Sequence, residues 1–386
     1  MMIANRKYVL TILLLTIAIV IPSIGQAQEK VKKSSKFQKQ TFNALEERSK
    51  MKYRLIPLPS YDPATKFGVS VANMFTYYPD KTDTISPPTT TALYVMGTTN
   101  GSWLVGAKQT TFLKHDSWRA NLAFGAGGIN QIMNLGQLGD ADAKKSLLAM
   151  NLDIQRKVWQ KLFLGLRYNY RNISISGRDD ESEQILEQAD FTGRTITHGI
   201  GLLGTADYRD NIFFPYHGFY VKYYGLNYFP NTKGKGANHL FANIIDYAHF
   251  FSLNDENSSI LAYHIVGNFL SGDATPENFS MYGHSRGGGL QRGYAAGSYI
   301  DKNLVSLDVE WRKRTGLFKN RFGYTIFTGV GKVYGYYNSF NKADWLPTIG
   351  AGARYMILPY ERLNIRFDTT YSKDGFGFYF GIREAF

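Results

Sequence analysis

The chain has 386 residues, a formal net charge of +13 and no cysteine. Without cysteine it can form neither a disulfide scaffold nor a thiolate metal site. Aromatic residues make up 15% of the sequence, with 27 Tyr and 26 Phe, which is a high share for a soluble domain. The length allows one large domain or two ordinary ones.

The first 27 residues have the three parts of a secretory signal. Arg6 and Lys7 form a basic start, and residues 9–21 are an apolar run of h-region length. Small residues at Gly25-Gln26-Ala27 then provide a cleavage site. An uncleaved anchor is the alternative reading, but the run is short for a spanning helix. We therefore expect residues 1–27 to be removed on export.

A basic tail follows the signal. Residues 28–50 carry seven lysines and arginines against three glutamates, and residues 41–50 fit a short helix. Positive charge suits nucleic acid in principle, but the export signal argues against that partner. We expect a solvated periplasmic tail, or one that lies near anionic lipid head groups.

From residue 51 onward the sequence alternates with period two. Leu162, Leu164 and Leu166 point to one face, for example, while Arg167 and Asn169 point to the other. Strands of soluble sandwiches average about 5 to 6 residues, whereas these runs approach the 9 to 11 residues of tilted membrane strands. Apolar-out and polar-in alternation is typical of outer-membrane barrels. We predict an all-β fold over residues 51–386, a transmembrane antiparallel β-barrel of about 16 strands.

The predicted barrel strands are separated by turn residues at regular intervals. Their spans are 52–61, 66–78, 89–99, 101–113, 116–128, 143–157, 161–176, 194–207, 216–230, 238–253, 256–270, 300–314, 319–333, 347–357, 361–371 and 375–385. An even number returns both ends to the periplasmic side. Because lipid offers no partner for backbone groups, we expect the sheet to close.

The connections and the aromatic girdles follow from these spans. Residues 79–88, 129–142 and 177–193 are predicted extracellular loops, the last with a helical turn at 181–188. The predicted girdle residues are Tyr77, Tyr78, Phe213, Phe214, Tyr216, Tyr223, Tyr224, Tyr228, Phe229, Tyr336 and Tyr337.

The longest gap between strands, residues 271–299, contains a glycine-rich stretch with two arginines, Gly283 to Tyr294. Long loops in compact proteins are usually functional. A buried guanidinium needs a carboxylate, and the polar face of the next strand offers Glu310. We predict a loop inserted in the barrel lumen, pinned by an ion pair between Arg292 and Glu310, whose role is to set the lumen shape.

Two patterns suggest enzyme chemistry. Residues 283–287 match Gly-x-Ser-x-Gly, but a nucleophile elbow needs a following helix and a parallel sheet, and neither is predicted here. The seven histidines lack the spacing of a helical zinc site. We therefore predict no catalytic site, no metal and no cofactor.

Four motifs occur in a particular order. Asp207, Arg209, Asp210 and Asn211 are followed by Pro215 and Gly218. Leu290-Gln291-Arg292-Gly293-Tyr294 is followed by the strand Leu307-Asp308-Val309-Glu310-Trp311-Arg312. The last stretch ends with the alternating apolar residues Phe378, Phe380 and Ile382 and the terminal Phe386.

In these four motifs the chain resembles the barrel domain of the BamA/TamA family, the bacterial surface antigen family of outer-membrane proteins. The resemblance implies that Arg292, Gly293 and Tyr294 form the tip of a lumen loop with Glu310 as acidic partner. It also implies that residues 207–218 are the family's hairpin motif and that the final aromatics are an insertion signal.

The chain departs from the family in two places. A family aspartate that faces the same arginine corresponds here to Thr328, so Asp308 or Asp368 would have to replace it. Assembly-type members also carry periplasmic POTRA domains, and the 28–50 segment is too short to be one. We therefore expect no POTRA domain before this barrel.

The resemblance implies insertion or translocation of proteins at the outer membrane, with the first and last strands as a seam that opens toward a client strand. Implied partners are outer-membrane lipid and lipopolysaccharide, client outer-membrane proteins or a separately encoded periplasmic protein, and the barrel-assembly machinery for its own insertion. Two alternatives stay open: a passive channel or surface protein, and an export pore for a separate partner.

Overall fold

The structure is a computed structural model that describes residues 51–62, 66–135, 138–189, 191, 193–230, 240–274, 278–283, 291–295 and 297–386. The predicted signal, the basic tail and the helix at 41–50 lie outside the described residues. Most of the Gly-x-Ser-x-Gly stretch, residues 284–287, also lies outside them.

The described residues form eighteen strands. They are β1 (Lys52–Asp62), β2 (Lys66–Tyr77), β3 (Thr89–Thr98), β4 (Trp103–Leu113), β5 (Trp118–Asn134), β6 (Asp140–Trp159), β7 (Leu162–Gly177), β8 (Gly193–Asp207), β9 (Gly218–Pro230), β10 (Leu240–Ser252), β11 (Ser259–Gly272), β12 (Ser280–Tyr282), β13 (Tyr299–Asp301), β14 (Asn303–Arg314), β15 (Phe322–Tyr334), β16 (Leu346–Leu358), β17 (Leu363–Ser372) and β18 (Gly375–Ile382).

Sixteen of these strands form one sheet in chain order, and every neighbouring pair is antiparallel. The predicted fold class and strand number are thus confirmed. The predicted strand 300–314 is divided at Lys302, because β13 leaves the sheet and pairs with β12 instead. This small hairpin frames the glycine-rich stretch.

The two faces of the sheet differ in polarity. Asp153, Asn169 and Glu310 are almost completely buried, with exposures of 2%, 3% and 0%. By contrast, Leu166 and Leu202 are 57% and 71% exposed. We call the face with the buried polar side chains the inner face. This inversion of a soluble core is what alternation produces when lipid surrounds a barrel.

Two short helices lie between strands. Helix α1 (Asp180–Gln188) confirms the predicted helical turn, and the Asp179 carboxylate caps it by accepting the Ser182 N–H at 2.7 Å. This hydrogen bond lowers the pKa of Asp179. Helix α2 (Leu317–Asn320) is a single turn in which Phe318 has a positive φ. In the described part of the chain, neither helix has the length or apolarity to span a bilayer.

The sheet has two edges, β1 and β18, and they lie alongside each other. No hydrogen-bonded ladder joins these two strands among the described residues. The prediction that the sheet closes is therefore wrong for this part of the chain. Two features of the sequence account for the open edge: Pro57 and Pro59 lack an N–H, and the last strand ends at Ile382.

The connections alternate between two ends of the sheet, since successive strands run in opposite directions. The end where β1 begins, here the N-terminal end, carries the β2–β3 connection. There the Asp83 carboxylate accepts the backbone N–H of His115 in the β4–β5 turn at 2.8 Å. The prediction that residues 79–88 lie on the same side as 129–142 and 177–193 is therefore wrong. Most of 129–142 is also strand, because β5 and β6 extend into it.

Candidate functional site

A five-residue segment between β12 and β13 lies against the inner face of the last strands. We call Gln291–Ala295 the Arg292 segment. All five of its residues are buried, with Tyr294 at 0% and Arg292 at 3% exposure. Its contacts reach β14, β15, β16, β17 and β18, and they involve both side chains and backbone.

The Arg292 guanidinium contacts three different strands. Its Nη1 donates to Asp368 Oδ2 in β17 at 2.8 Å, and its Nη2 pairs with Glu310 in β14. The Phe327 ring of β15 lies beneath it, with 3.5 Å between the guanidinium carbon and the ring centroid. Charge-assisted hydrogen bonds and a desolvated cation–π contact thus hold one side chain.

The backbone of Gly293 is also fixed. Its φ of +108° lies in the left-handed region, and a Cβ there would collide with the Thr348 side chain. Its N–H donates to the Tyr379 hydroxyl at 2.9 Å, and its carbonyl accepts the Ser372 hydroxyl at 2.6 Å. Only glycine suits this position, because any side chain would meet both strain and a clash.

Tyr294 anchors the segment on its other side. Its hydroxyl donates to the Pro347 carbonyl at 2.7 Å, and its ring packs edge-on against Tyr282 at 5.4 Å. The surrounding buried cluster includes Val266 and Leu304. A buried tyrosine with a satisfied hydroxyl gives both apolar area and direction.

The carboxylates that hold Arg292 belong to a larger charge cluster. Asp368 also binds Arg354 at 2.6 Å and Arg366 at 2.5 Å, while Glu310 also binds Arg312 at 2.8 Å. We call this group the arginine cluster; its members are Arg292, Arg312, Arg354, Arg366, Glu310, Asp368 and Glu384. Each is less than 9% exposed. Mutual pairing is what makes so many charges tolerable away from water.

The structure revises the predicted partners of Arg292. Thr328 is exposed on the outer face and donates to the Thr348 carbonyl at 2.9 Å, so it does not face the arginine. Phe327, one residue earlier, takes that place. Asp308 is on the inner face but forms no ion pair with a described residue, whereas Asp368 contacts the guanidinium.

The motif at 207–218 forms a compact turn between β8 and β9. Asp207 accepts the Nε and Nη2 of Arg209 at 2.9 and 3.0 Å. The Asp210 carboxylate accepts the Tyr216 N–H at 2.8 Å, and Asn211 Oδ1 accepts the Phe213 N–H at 2.8 Å. These side chains replace the ladder bonds that the turn lacks.

The end of this turn is set by two residues with restricted backbones. Gly218 has a φ of +98°, and a Cβ there would collide with the Tyr208 carbonyl. Pro215 is buried three residues earlier, where its fixed φ suits the turn. The motif residues therefore define the shape of the connection.

This connection reaches strands that are not its neighbours in the sheet. Arg362, in the β16–β17 turn, pairs with Asp210 at 2.5 Å and lies over the Tyr216 ring at 3.8 Å. Phe213 shares a buried cluster with Met74 of β2 and Leu363 of β17. We call residues 208–217 the strap, because they bridge strands on both sides of the open edge at the N-terminal end.

The strap corrects part of the predicted aromatic girdle. Phe213, Phe214 and Tyr216 are buried within it and do not face lipid. Arg383, just after β18, lies over the Phe213 ring at 4.7 Å. Burial, and then the nearby charge of Arg209, lowers the pKa of Arg383 to about 10, so this guanidinium stays charged at neutral pH.

The final aromatic residues do not share one face. Phe378 is 40% exposed on the outer face and packs with Phe380 around Phe367. The strand ends at Ile382, and Phe386 turns inward to stack on His264 with 4.7 Å between the ring centroids. The predicted strand to residue 385 is therefore too long, because Glu384 is drawn into the arginine cluster.

The described residues contain no group of three or more His, Asp or Glu side chains placed to hold a metal ion. The sequence did not predict that four further side chains belong to the arginine cluster. They are Arg312, Arg354, Arg366 and Glu384. Their only signal there is a charged side chain within a predicted strand.

Comparison with known proteins decides the family. The model of the Omp85 superfamily domain matches residues 140–386. The chain belongs to the Omp85 superfamily. The predicted resemblance is thus confirmed, and the motifs above lie within the matched region of this Omp85 chain.

Solved structures with a similar fold include BamA from Haemophilus ducreyi lacking POTRA domains 1-3. That structure has a TM-score of 0.56 and 10% identity, over 89% of this chain and 77% of the other. CdiB from Acinetobacter baumannii gives 0.53 and 12%, over 89% and 67%. CdiB from Escherichia coli gives 0.55 and 9%, over 88% and 68%. No curated protein sequence matches the chain.

The family and the fold together make the chain an outer-membrane β-barrel protein. The exposed apolar outer face and the buried polar inner face agree with that location.

Proposed function

We propose that this Omp85 chain inserts or translocates proteins at the outer membrane and that a client strand pairs at its open edge. The supporting observation is that β1 and β18 lie alongside each other without a hydrogen-bonded ladder among the described residues. In lipid, unpaired backbone groups are costly, so an open edge favours pairing with an incoming strand.

The two edges are not equivalent as templates. Pro57 and Pro59 stand two residues apart in β1. Backbone N–H groups two residues apart point to the same side of a strand, so both prolines lack a donor toward the same neighbouring strand. β18 contains no proline, and its backbone donors are complete. We therefore assign β18 as the edge that receives the client strand, while the prolines of β1 oppose permanent closure.

The Arg292 segment is the element that positions β18 in this proposal. In this proposal it acts as the lumen loop that the family resemblance implies, and its Gly293 N–H donates to Tyr379 of the edge strand. The ion pairs of Arg292 with Glu310 and Asp368 fix the same segment to β14 and β17. Moving this segment would therefore move the receiving edge.

A crosslink across the edge tests the proposal. Lys52, at the start of β1, pairs with Glu361 in the β16–β17 turn at 2.5 Å. The wild-type chain has no cysteine, so Lys52→Cys with Glu361→Cys can be joined selectively by a cleavable bis-maleimide. We expect the crosslink to slow the folding of a small client barrel into vesicles that contain this protein. Cleaving the linker should restore the rate.

A matched control uses a pair away from the edge. Arg178 and Asp142 form an exposed ion pair at 3.0 Å beside the β6 and β7 strands, which are already hydrogen-bonded. Crosslinked cysteines at these two positions should leave client folding unchanged. If the Lys52–Glu361 crosslink also leaves it unchanged, a passive channel becomes the better account. Depletion in cells would then alter permeability without lowering the levels of other outer-membrane barrels.

A further inference from the structure

A basic pocket opens beside the arginine cluster, at the end of the sheet where β1 begins. It lies where β14 and β16 end and β15 begins. Its ten lining residues include five cations and no carboxylate. The cations are Arg312, Lys313, Arg314, Arg321 and Arg354. Arg312 and Arg354 are already paired with carboxylates of the arginine cluster, which lie outside this lining, whereas Lys313, Arg314 and Arg321 form no ion pair with a described residue. These three positive charges favour an anion in the pocket.

A glycine lies between two of the pocket's arginines. Gly323 of β15 stands directly opposite Arg314 on one side and Arg354 on the other. A Cβ at this glycine would come within 2.7 Å of the Lys313 carbonyl. Two arginines therefore flank a position without a side chain, although like charges across a sheet normally repel.

Two buried donors are left over at this pocket. Arg312 and Arg354 are only 1% and 4% exposed, yet Arg312 Nη1 and Arg354 Nη2 have no hydrogen-bond partner in the described structure. Arg312 donates through Nε to Glu310 and through Nη2 to the Phe386 carbonyl, and Arg354 donates through Nε to Glu384 and through Nη1 to Asp368. Buried donors are rarely left unpaired, so these two guanidinium groups are arranged for a further acceptor.

We propose that this pocket binds a phosphate group. Guanidinium groups match tetrahedral oxyanions through paired N–H donors, and several fixed cations favour an anion with more than one charge. The phosphate can come from a free anion or from a lipid head group. Lys313 and Tyr324 also line the pocket, and they alternate outward from Arg312 and Gly323, so the pocket reaches the border with lipid.

The first arm of the test uses inorganic phosphate and the full chain in detergent. Isothermal titration calorimetry at constant ionic strength compares wild type with Arg321→Gln, which removes an exposed lining residue and preserves the buried cluster. Lys319→Gln is the control, because it removes the same charge from the same turn without lining the pocket. We expect Arg321→Gln to bind phosphate at least about tenfold more weakly than wild type, the value of one charged hydrogen bond. We expect Lys319→Gln to bind phosphate as tightly as wild type does.

The second arm identifies the source. Nanodiscs of phosphatidylcholine with a small share of phosphatidic acid present a phosphate monoester, and native mass spectrometry counts the lipids that the protein retains. One phosphatidic acid retained by wild type but not by Arg321→Gln supports the pocket with a lipid head group as ligand. Phosphate binding in detergent without retained lipid supports it with a free anion. The proposal is overturned if Arg321→Gln and Lys319→Gln lose phosphate or lipid binding equally. It is also overturned if the wild-type protein binds neither inorganic phosphate nor phosphatidic acid. No client is present, so the result is independent of the proposed insertion activity.

Discussion

Asp368 is the residue on which most of the arginine cluster converges. Its carboxylate binds Arg292, Arg354 and Arg366, whereas Glu310 binds two arginines. The cluster holds four arginines against three carboxylates, so each carboxylate removed increases the imbalance. Removing an arginine instead leaves the charges equal.

Removal of one negative charge and removal of one positive charge should therefore have unequal effects. Asp368→Asn leaves four buried arginines with two carboxylates and should cost about 3 to 5 kcal/mol of unfolding free energy, the usual cost of an uncompensated buried charge. Arg292→Gln leaves three of each and should cost clearly less. Urea unfolding in lipid vesicles measures both values.

The control for this comparison is Asp142→Asn, which breaks the exposed pair with Arg178 and should change stability by less than about 1 kcal/mol. Equal losses for Asp368→Asn and Arg292→Gln would show that net charge does not govern the cluster. A partial rescue of Asp368→Asn by adding Arg366→Gln would show that it does.

At the level of single residues, the sequence predicted the acidic strand but not its full surroundings. Glu310 could be inferred because alternation puts it on the polar face. Thr328 was misplaced because a shift of one residue along β15 moves a side chain to the other face, and Phe327 has that position. Asp368 is far along the chain, and only the curvature of the sheet brings it to Arg292.

Among the elements, the strap links distant parts of the sheet through few contacts. Arg362 supplies three of them: the pair with Asp210, a hydrogen bond to the Phe214 carbonyl at 3.5 Å and the contact with the Tyr216 ring. The Asp210–Arg362 pair is partly exposed, so it adds little to global stability. Its effect should be on the position of the strap.

We therefore predict that Arg362→Gln raises the conductance of the barrel in planar bilayers while the thermal unfolding midpoint changes little. The strap would leave the N-terminal end once its attachment to the β16–β17 turn is lost. A bis-maleimide crosslink between Asp210→Cys and Arg362→Cys should return the conductance to the wild-type level. Arg178→Gln serves as the control for loss of one arginine, and a wild-type conductance in Arg362→Gln would contradict a closing role for the strap.

Strands were predictable to within a few residues wherever alternation is regular, as in β7, predicted at 161–176 and observed at Leu162–Gly177. Ends were less predictable. β5 extends to Asn134 because its pairing with β6 continues beyond the alternating part. The hairpin of β12 and β13 was missed because three-residue strands leave no periodic pattern. The inward turn of Phe386 depends on contacts with β10, β11 and β14 that no local pattern contains.

The whole molecule is defined by its reversed polarity, and a pair of leucines can test that property. Leu202 is 71% exposed within β8, and Leu253 is 56% exposed in the turn after β10. In water the two positions would be similar surface sites. In a membrane they differ in depth, because Leu202 lies inside a strand and Leu253 lies at the N-terminal end.

We predict that Leu202→Arg costs about 2 to 4 kcal/mol of unfolding free energy in vesicles, as charged residues do near the middle of a bilayer, while Leu253→Arg costs about 0 to 1 kcal/mol. The physical reason is desolvation, since the guanidinium at residue 202 has only lipid around it and the one at residue 253 reaches water. Urea unfolding in phosphatidylcholine vesicles gives both values. Equal costs at the two positions would mean that the bilayer does not surround the outer face as alternation requires, and the membrane-spanning assignment of β8 would have to be abandoned.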